Sequence, residues 1–539
     1  MPVINARFAI FSAQKSQKVA AATQAWKLPT PRPHTSKLAR PSTHRHTTTV
    51  LHLKSRGSPA LFCLILIGAL LASRPATAQP FTVQGPGVNP NDFRVTTFAS
   101  GISFPLGMAE LSDGSLLVTV VQNSSFSSGT NPGRLLRLTD TDSNGIADNA
   151  GTILYSNLSP SLTAVRVMDN LVFVMGRPHP ITVLRQGATP ASPLTLAGRL
   201  LFTYPNLWNM HQHSELAVRK TPGFTNRYDL FFQVGAEVNN AATTRTVTLT
   251  NENIPGASGT LVGDAIHCLT IIDNGATLAA TNVTQIASGV RNAAGFTFDP
   301  ATGDFYFEDN GIDGGTEAFS ADELNVITRT NLGGAIEYFG FPTNYYSYRT
   351  NAFIGGAGIP ALAVFQPIPN AFTGRESEGP NQIAYAPPSF PDGLNAGVFI
   401  GFHGIYSSAG LANHENPVVY ADPATGSYFH FIANQLPGIG HLDGLLATRD
   451  SLFVADLVTT GSLSSGLNAG AIYQIKSLIT PTLPTLTIQR LGAQLQLSWN
   501  RGALQEASEI TGPWTAVADA FSPMFLSPTA TRKFYRTMY

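Results

Sequence analysis

Six short hydrophobic segments of the same shape recur along the chain, and this repetition constrains the fold more than any other feature. Each begins at a turn residue, continues as a Val-, Leu- or Phe-rich stretch and ends at a polar residue or glycine. The first residues of these stretches are Leu116, Leu171, Leu230, Phe305, Val398 and Leu452. They lie 55, 59, 75, 93 and 54 residues apart, so each interval can hold a propeller blade of ~40–50 residues with its loops. We predict an all-β fold, a six-bladed β-propeller over residues 79–476, with a large β-sandwich as the alternative.

The composition changes after the last repeat. Residues 479–485 are rich in Pro and Thr, as in an extended linker, and we assign residues 477–484 to that linker. The segments that follow, 486–490, 495–499 and 514–517, are short and alternate between apolar and polar residues, as strands do. We therefore predict a small C-terminal β-sandwich module over residues 485–539. It holds no group of catalytic residue types, so we interpret it as an accessory module.

The N-terminal region has the pattern of an export signal. Residues 1–78 contain eleven Lys or Arg and no Asp or Glu. Residues 60–72 form an apolar run that follows Lys54 and Arg56, and the small-residue triplet Ala-Thr-Ala ends at Ala78. The run is shorter than the ~20 residues that span a bilayer. We predict a signal peptide cleaved after Ala78 and a periplasmic or secreted protein without a membrane span, with a retained anchor as the alternative.

The charge of the remaining chain excludes one class of partner. Residues 79–539 carry 22 basic and 33 acidic residues, with only three Lys. Such a chain lacks the basic surface that nucleic-acid binding requires, so we expect no nucleic-acid partner. Cys268 is the single cysteine of this region, which excludes an intrachain disulfide, and we interpret it as a buried strand residue. No feature indicates an oligomer, and we expect a monomer.

Two groups of residue types suggest a catalytic or binding site. His211 and His213 precede a predicted strand, and residues two apart lie on the same side of a strand. Both could bind a metal or one could act as a base, whereas hydrogen-bonded structural histidines are the alternative. Further on, Arg291 and Asn292 are adjacent, and together they offer donors for a carboxylate.

A third element has the spacing of a calcium-binding loop. Residues 140–148 follow the pattern D-x-D-x-N-G-x-x-D, which matches the first nine positions of an EF-hand-type loop. The candidate ligands are Asp140, Asp142, Asn144 and Asp148. The glutamate expected at the twelfth position is absent, because Gly151 occupies it. The alternative is an Asx-rich turn between two strands.

The longest motif run resembles a known family. Residues 289–303 read G-V-R-N-A-A-G-F-T-F-D-P-A-T-G, and E-D-N-G at 308–311, D-E-L-N at 322–325 and Y-F-G-F-P at 338–342 follow. This run resembles the soluble glucose/sorbosone dehydrogenase family, the six-bladed PQQ-dependent aldose dehydrogenases. The resemblance implies a secreted enzyme that oxidises the C1 hydroxyl of a small-molecule sugar, with hydride transfer to PQQ in the presence of Ca²⁺. It leaves the sugar and the electron acceptor open.

The resemblance also implies roles for individual residues. His213 would be the general base, and Arg291 and Asn292 would contact PQQ. The backbone carbonyls of Gly311 and Ile312 would hold Ca²⁺.

The chain departs from the family pattern at its cationic positions. The late H-G of the family is present at His403 but lacks the arginine that follows it, and Gly440-His441 stands where the family shows G-R-P. Two other functions therefore remain open. One is a non-catalytic propeller that binds glycan or protein partners after loss of the cofactor, and the other is a Ca²⁺-dependent propeller lactonase.

Overall fold

The computed structural model describes residues 79–208, 210–281, 283–314, 319–366, 379–404, 417–433, 436–527 and 532–538. The predicted leader and its cleavage site lie outside these residues. Within them, the structure is built of β-strands apart from one 3-10 turn at Pro90–Asp92, which confirms the prediction of an all-β fold. No helix in the described part of the chain has the length and apolar character needed to cross a membrane.

Strands β1 to β30 form six large sheets and one small hairpin. The sixth sheet contains both the first strand and the last strand of this set. In the first sheet the strands are β2 (Met108–Glu110), β3 (Leu116–Val120), β4 (Gly133–Leu138) and β5 (Thr152–Leu158). The second contains β6 (Leu162–Met168), β7 (Leu171–Gly176), β8 (Ile181–Arg185), β9 (Thr195–Thr203), β12 (Thr246–Glu252) and β13 (Gly259–Val262). The third contains β10 (Leu216–Lys220), β11 (Arg227–Val234), β14 (Ala265–Asp273), β15 (Leu278–Ala280), β16 (Thr284–Ser288) and β20 (Glu337–Tyr338).

The other three sheets have four strands each. The fourth contains β17 (Phe296–Phe298), β18 (Phe305–Asp309), β19 (Asp322–Ile327) and β23 (Ala363–Phe365). The fifth contains β24 (Pro380–Tyr385), β25 (Val398–Phe402), β26 (Val418–Asp422) and β27 (Ser427–Ile432). The sixth contains β28 (Gly444–Ala447), β29 (Ser451–Asp456), β30 (Gly470–Ser477) and β1 (Phe93–Ile102). The small hairpin pairs β21 (Tyr345–Tyr346) with β22 (Phe353–Ile354).

The six sheets form a closed ring. The strands that face the centre, β2, β6, β10, β17, β24 and β28, contact one another in this order, and β28 contacts β2. A closed ring of sheets is typical of β-propellers, and the number of blades remains a prediction. The six predicted segments coincide with β3, β7, β11, β18, β25 and β29, the second strand of each sheet. The N-terminal strand β1 completes the sixth sheet by antiparallel pairing with β30, so both ends of the ring's chain meet in one sheet.

Apolar side chains between neighbouring sheets form the core. Phe173 on β7, Leu230 on β11 and Leu249 on β12 are buried in one continuous cluster between the second and third sheets. Burying a side chain of this kind stabilises the fold by about 1.5–3 kcal/mol. Because each sheet is covered only by its neighbours, the ring must close for every sheet to be buried.

The C-terminal strands form two three-stranded sheets. One contains β31 (Leu486–Leu491), β32 (Gln494–Trp499) and β35 (Met524–Leu526), and the other contains β33 (Ala503–Ala507), β34 (Thr515–Ala516) and β36 (Phe534–Met538). Leu497, Trp499 and Leu504 share a small core with Ala301 of the ring. The guanidinium of Arg329 lies 5.1 Å from the Phe521 ring. The predicted boundaries of the linker and the module remain predictions.

Candidate active site

A cavity of about 450 Å³ lies at one end of the ring. Its wall is formed where the first strands of several sheets begin and where β7, β18 and β25 end. Leu106, Phe126 and Pro178 contribute apolar surface. The polar and charged lining residues include Thr163, Arg177, His211, Ser214, Arg291, Asn292, Asn310, Asp313, Asn381 and His403. A volume of this size lies within the range of about 300–1,000 Å³ that is usual for small-molecule sites.

The structure does not place His213 on this cavity. Its side chain is fully buried, Tyr204 Oη lies 2.7 Å from Nδ1, and the His179 carbonyl oxygen lies 2.6 Å from Nε2. A carbonyl only accepts, so Nε2 carries the proton, and Nδ1 accepts from the tyrosine hydroxyl. Burial lowers the pKa of His213 to about 4. The prediction that His213 is the base is therefore corrected, because both ring nitrogens are engaged inside the protein.

His211, two residues earlier, lies on the cavity wall instead. It is 9% exposed, and its Nδ1 atom is buried with no hydrogen-bond partner among the described residues. Burial lowers the pKa of His211 well below the usual range, and the nearby Arg291 and Arg177 guanidiniums lower it further. The imidazole is therefore neutral near pH 7, which is the form that can accept a proton.

Arg291 reaches the cavity but is held by the protein. Its Nε donates to the Asn239 carbonyl at 2.9 Å, and its Nη1 donates to the Asn310 carbonyl at 3.2 Å. Its Nη2 donates to Asn239 Oδ1 at 2.6 Å and to Asp313 Oδ2 at 2.7 Å. Four donations fix the guanidinium, with the side chain only 3% exposed. Arg291 thus ties two loops together at the cavity and leaves little donor capacity for a ligand.

Asn292 presents its amide to the cavity. No hydrogen bond joins this side chain to another described residue, and its backbone N–H donates to Asp309 Oδ1 at 2.6 Å. The Arg291 N–H donates to the other oxygen of the same carboxylate at 2.9 Å. Burial raises the pKa of Asp309 to about 7, although both N–H groups oppose the shift. The buried Asp309 therefore fixes the backbone from which Asn292 projects.

The two residues predicted to hold calcium through their carbonyls lie behind the cavity wall. Both line a narrow cleft with Asp309 and Asn310, outside the main cavity. The Ile312 carbonyl accepts the Phe319 N–H at 2.7 Å and faces the Ser320 N–H at 3.4 Å. Because this oxygen is engaged by the protein, Ile312 does not fit the predicted calcium position. Gly311, whose N–H donates to Asp322 Oδ1 at 2.7 Å, remains a prediction.

The loop of residues 140–148 brings its carboxylates together, away from the cavity. One oxygen from each of Asp140, Asp142 and Asp148 lies within 4.8 Å of the others. The Asn144 amide lies in the same loop and donates to Asp142 Oδ2 at 2.8 Å. Gly145 has a φ of +84°, which a glycine adopts without strain. The loop lies between β4 and β5, and its Gly145 carbonyl accepts from Thr96 Oγ1 of β1 at 2.6 Å.

The structure adds a group that the sequence analysis did not assign. His403 follows β25 on the cavity wall, and its Nδ1 lies 2.6 Å from Oδ2 of Asp443, which is fully buried. The His403 and His441 rings stack with centroids 4.5 Å apart. Two sequence signals were available, the late H-G motif at His403 and the departure from G-R-P at Gly440-His441, but neither indicated that Asp443 pairs with His403. Arg177, exposed on the cavity wall, gave no signal in the sequence.

The chain is similar in structure to a set of solved proteins that includes PQQ-containing sugar dehydrogenases. A Carbohydrate-Active Enzymes family AA12 protein of Trichoderma reesei has a TM-score of 0.47 and 14% identity, covering 75% of this chain and 100% of that one. The PQQ domain of pyranose dehydrogenase from Coprinopsis cinerea has a TM-score of 0.46 and 15% identity, covering 75% and 99%. The PQQ-bound aldose sugar dehydrogenase of Streptomyces coelicolor has a TM-score of 0.42 and 16% identity, covering 71% and 98%. Similarity at this level does not assign an activity.

Comparison of the sequence with known proteins assigns no family to the chain. No family model matches the chain. An uncharacterized protein of Borreliella burgdorferi is 47% identical over 57 residues, which is 11% of this chain. The chain spans only 14% of the length of that relative.

Proposed function

We propose that the protein is an oxidoreductase that oxidises the C1 hydroxyl of a sugar and passes hydride to PQQ. One observation carries the proposal. The motif residues Arg291 and Asn292, which resemble those of the glucose/sorbosone dehydrogenase family, lie on one cavity with His211 and with His403 of the late H-G motif. Residues that are far apart in the sequence thus meet where a small molecule fits.

The donors on the cavity wall fit an anionic, planar cofactor in part. Arg177 is exposed on the wall, and the Asn292 amide has no partner in the described residues. Both can donate to carboxylates. Phe126 and Leu106 provide apolar surface for a ring system. When bound, PQQ supplies the two-electron acceptor that the oxidation requires.

His211 has the position and the protonation state of a general base. It is neutral near pH 7, because burial and the neighbouring guanidiniums disfavour its charged form. It can therefore take the proton of a sugar hydroxyl while the C1 hydrogen departs as hydride. Its burial excludes most water from the proton-accepting group. Arg291 contributes by fixing the Asn310–Asp313 loop beside the site rather than by binding the ligand itself.

We propose that calcium binds to the loop of residues 140–148 and stabilises the fold. Three carboxylates converge there, and oxygen ligands of this type suit Ca²⁺. Because the loop is absent from the cavity wall, this ion would act on stability and not on catalysis. The proposed oxidation at the cavity does not involve this ion, and the Ile312 carbonyl already accepts the Phe319 N–H.

A second function is favoured by the state of Arg291. With four donations to the protein, this residue offers little to a ligand carboxylate. The same cavity could then bind glycan or protein groups without redox chemistry.

We also propose that the protein is exported after cleavage behind Ala78 and that it is a monomer. We propose that the propeller covers residues 79–476 and the C-terminal module residues 485–539.

Titration of PQQ into the purified protein separates the two functions. We expect binding at micromolar or lower concentration, and dye reduction when sugars are added to the loaded protein. The His211→Asn variant should keep PQQ binding and lose dye reduction. His430→Gln, a change on the outer strand β27, is the matched control and should behave as wild type. Sugar binding without PQQ binding would favour the non-catalytic function.

A further inference from the structure

His403 and Asp443 form a hydrogen-bonded pair whose surroundings bear on ligand binding. Asp443 is fully buried, and Oδ2 lies 2.6 Å from His403 Nδ1. The other oxygen, Oδ1, is buried and has no hydrogen-bond partner in the described residues. No Lys or Arg forms an ion pair with Asp443 in the described part of the chain. A buried carboxylate without other cations favours the charged form of its histidine partner.

The ring of His403 is also held in place. It stacks on His441 with an interplanar angle of 22°. Its backbone carbonyl lies 2.7 Å from His441 Nδ1, and its backbone N–H donates to the Gly379 carbonyl at 2.7 Å. With Nδ1–H directed to Asp443, Nε2 is the ring atom at which His403 can gain or lose a proton. The side chain is 19% exposed and His403 lines the cavity, whereas its Nε2 atom is itself buried.

We propose that His403, charged through its ion pair with Asp443, binds a carboxylate of the anionic cofactor and makes cofactor binding depend on pH. The inference rests on the proposed function. His403 then supplies a cationic donor in a cavity wall where Arg291 is already engaged by the protein. Asp443 acts as a positioning residue, because it holds the ring and does not line the cavity.

Other charged and titratable groups near His403 also influence how cofactor binding depends on pH. His441 stacks on it, and Asp456 lies behind His441, whose backbone N–H it accepts at 3.0 Å. Arg177, Arg291 and Asp313 share the cavity wall. Burial and the neighbouring His403 lower the pKa of His441, whereas the Asp443 carboxylate and the carbonyl oxygens of His403 and Gly461, at 2.7 Å and 3.0 Å from its two ring nitrogens, raise it. The two guanidiniums keep their charge at all working pH values, so they add affinity without a pH dependence.

Calorimetric titration of PQQ at pH 6 and pH 8 tests the proposal on the full protein. We expect wild-type Kd to be about tenfold weaker at pH 8, because one linked protonation changes affinity by at most tenfold per pH unit. His403→Gln should bind with the weak high-pH affinity at both pH values. His430→Gln, the matched control, should keep the wild-type dependence.

The Asp443→Asn variant gives an independent test that does not depend on the stability of His403→Gln. It keeps the shape of the partner and removes its charge, so binding at pH 6 should weaken toward the pH 8 value. If His403→Gln and Asp443→Asn both retain the wild-type dependence on pH, the proposal is overturned while the cofactor function stands. If wild-type protein binds no PQQ at either pH, the proposed function itself fails.

Discussion

Replacing Arg291 tests whether this residue mainly stabilises the fold or mainly binds a ligand. In the structure its guanidinium donates to Asn239 twice, to Asn310 and to Asp313. These bonds link the loop after β11 to the loop after β18. If they are the main task of Arg291, the Arg291→Ala variant loses stability in the absence of any ligand.

The expected loss of stability depends on which hydrogen-bond acceptors of Arg291 are left without a donor. The substitution removes the Arg291 donor from the Asn239 and Asn310 carbonyls, beside a side chain that is 3% exposed, and an acceptor left unpaired in such a place costs about 1–3 kcal/mol. Asn239 Oδ1 keeps a partner, because it also accepts the Asp313 N–H at 3.1 Å. Asp313, 37% exposed, can be solvated by water and contributes less. Since the losses at the two carbonyls are not additive, we expect the free energy of unfolding to fall by about 2–4 kcal/mol. Arg291→Lys keeps the charge but not the fork of donors, so it should recover only part of this loss.

Urea denaturation of the ligand-free protein, followed by tryptophan fluorescence, measures the effect. Arg199→Ala is the matched control, because Arg199 pairs on the surface with Glu252, which is 45% exposed. Such a surface pair contributes about 0–1 kcal/mol. The reasoning is refuted if Arg291→Ala has the same urea midpoint as Arg199→Ala while PQQ binding is lost, since Arg291 would then act on the ligand alone.

Three further predictions concern the histidines, the calcium loop and a buried acid. The His211→Ala variant should keep its fold, and its rate of dye-linked sugar oxidation should be about 10²–10⁴-fold lower. The His213→Ala variant should instead unfold more easily, by about 2–4 kcal/mol, as measured from denaturant midpoints. Calcium at a hundredfold excess over its Kd should stabilise the protein by about 2.7 kcal/mol in thermal melts, and Asp142→Asn should abolish the effect. Burial raises the pKa of Glu215 to about 7, although Arg166 pairs with it at 2.9 Å. The free energy of unfolding of the wild type should therefore fall by up to about 3 kcal/mol as the pH rises from 4.5 to 7. The Glu215→Gln variant should not show this fall when unfolding is measured as a function of pH.

The local part of the fold could be predicted from sequence because it depends on short-range patterns. A turn residue followed by a fully apolar stretch is enough to identify a strand buried on both faces, and the six segments are the second strands of the six sheets. The pairing of β1 with β30 could not be predicted, since it joins residues almost four hundred positions apart. The same holds for β12, which continues the second sheet by pairing with β9 instead of joining its sequence neighbour β11.

The choice between the two histidines shows why the site was harder to predict. Strand periodicity places His211 and His213 on one side, so it cannot tell which one reaches a ligand. Tyr204 and the His179 carbonyl contact the two ring nitrogens of His213. Because of these contacts, His213 is buried and His211 lies on the cavity wall. The calcium loop, in contrast, depends on residues within nine positions, and its three carboxylates converge as their spacing indicates.

Net charge is a poor guide to what this cavity can bind, because the acidic residues beneath it do not act as free charges. Asp309 accepts two backbone N–H groups, and Glu308 accepts the Ala294 N–H and the Asn310 amide at 3.0 Å. Burial raises the pKa of Glu308 well above its usual range, which favours its uncharged form. These acids therefore shape the loops without repelling an anion, and the local potential is set by the cations on the wall. An acidic chain can in this way hold a site for a polycarboxylate.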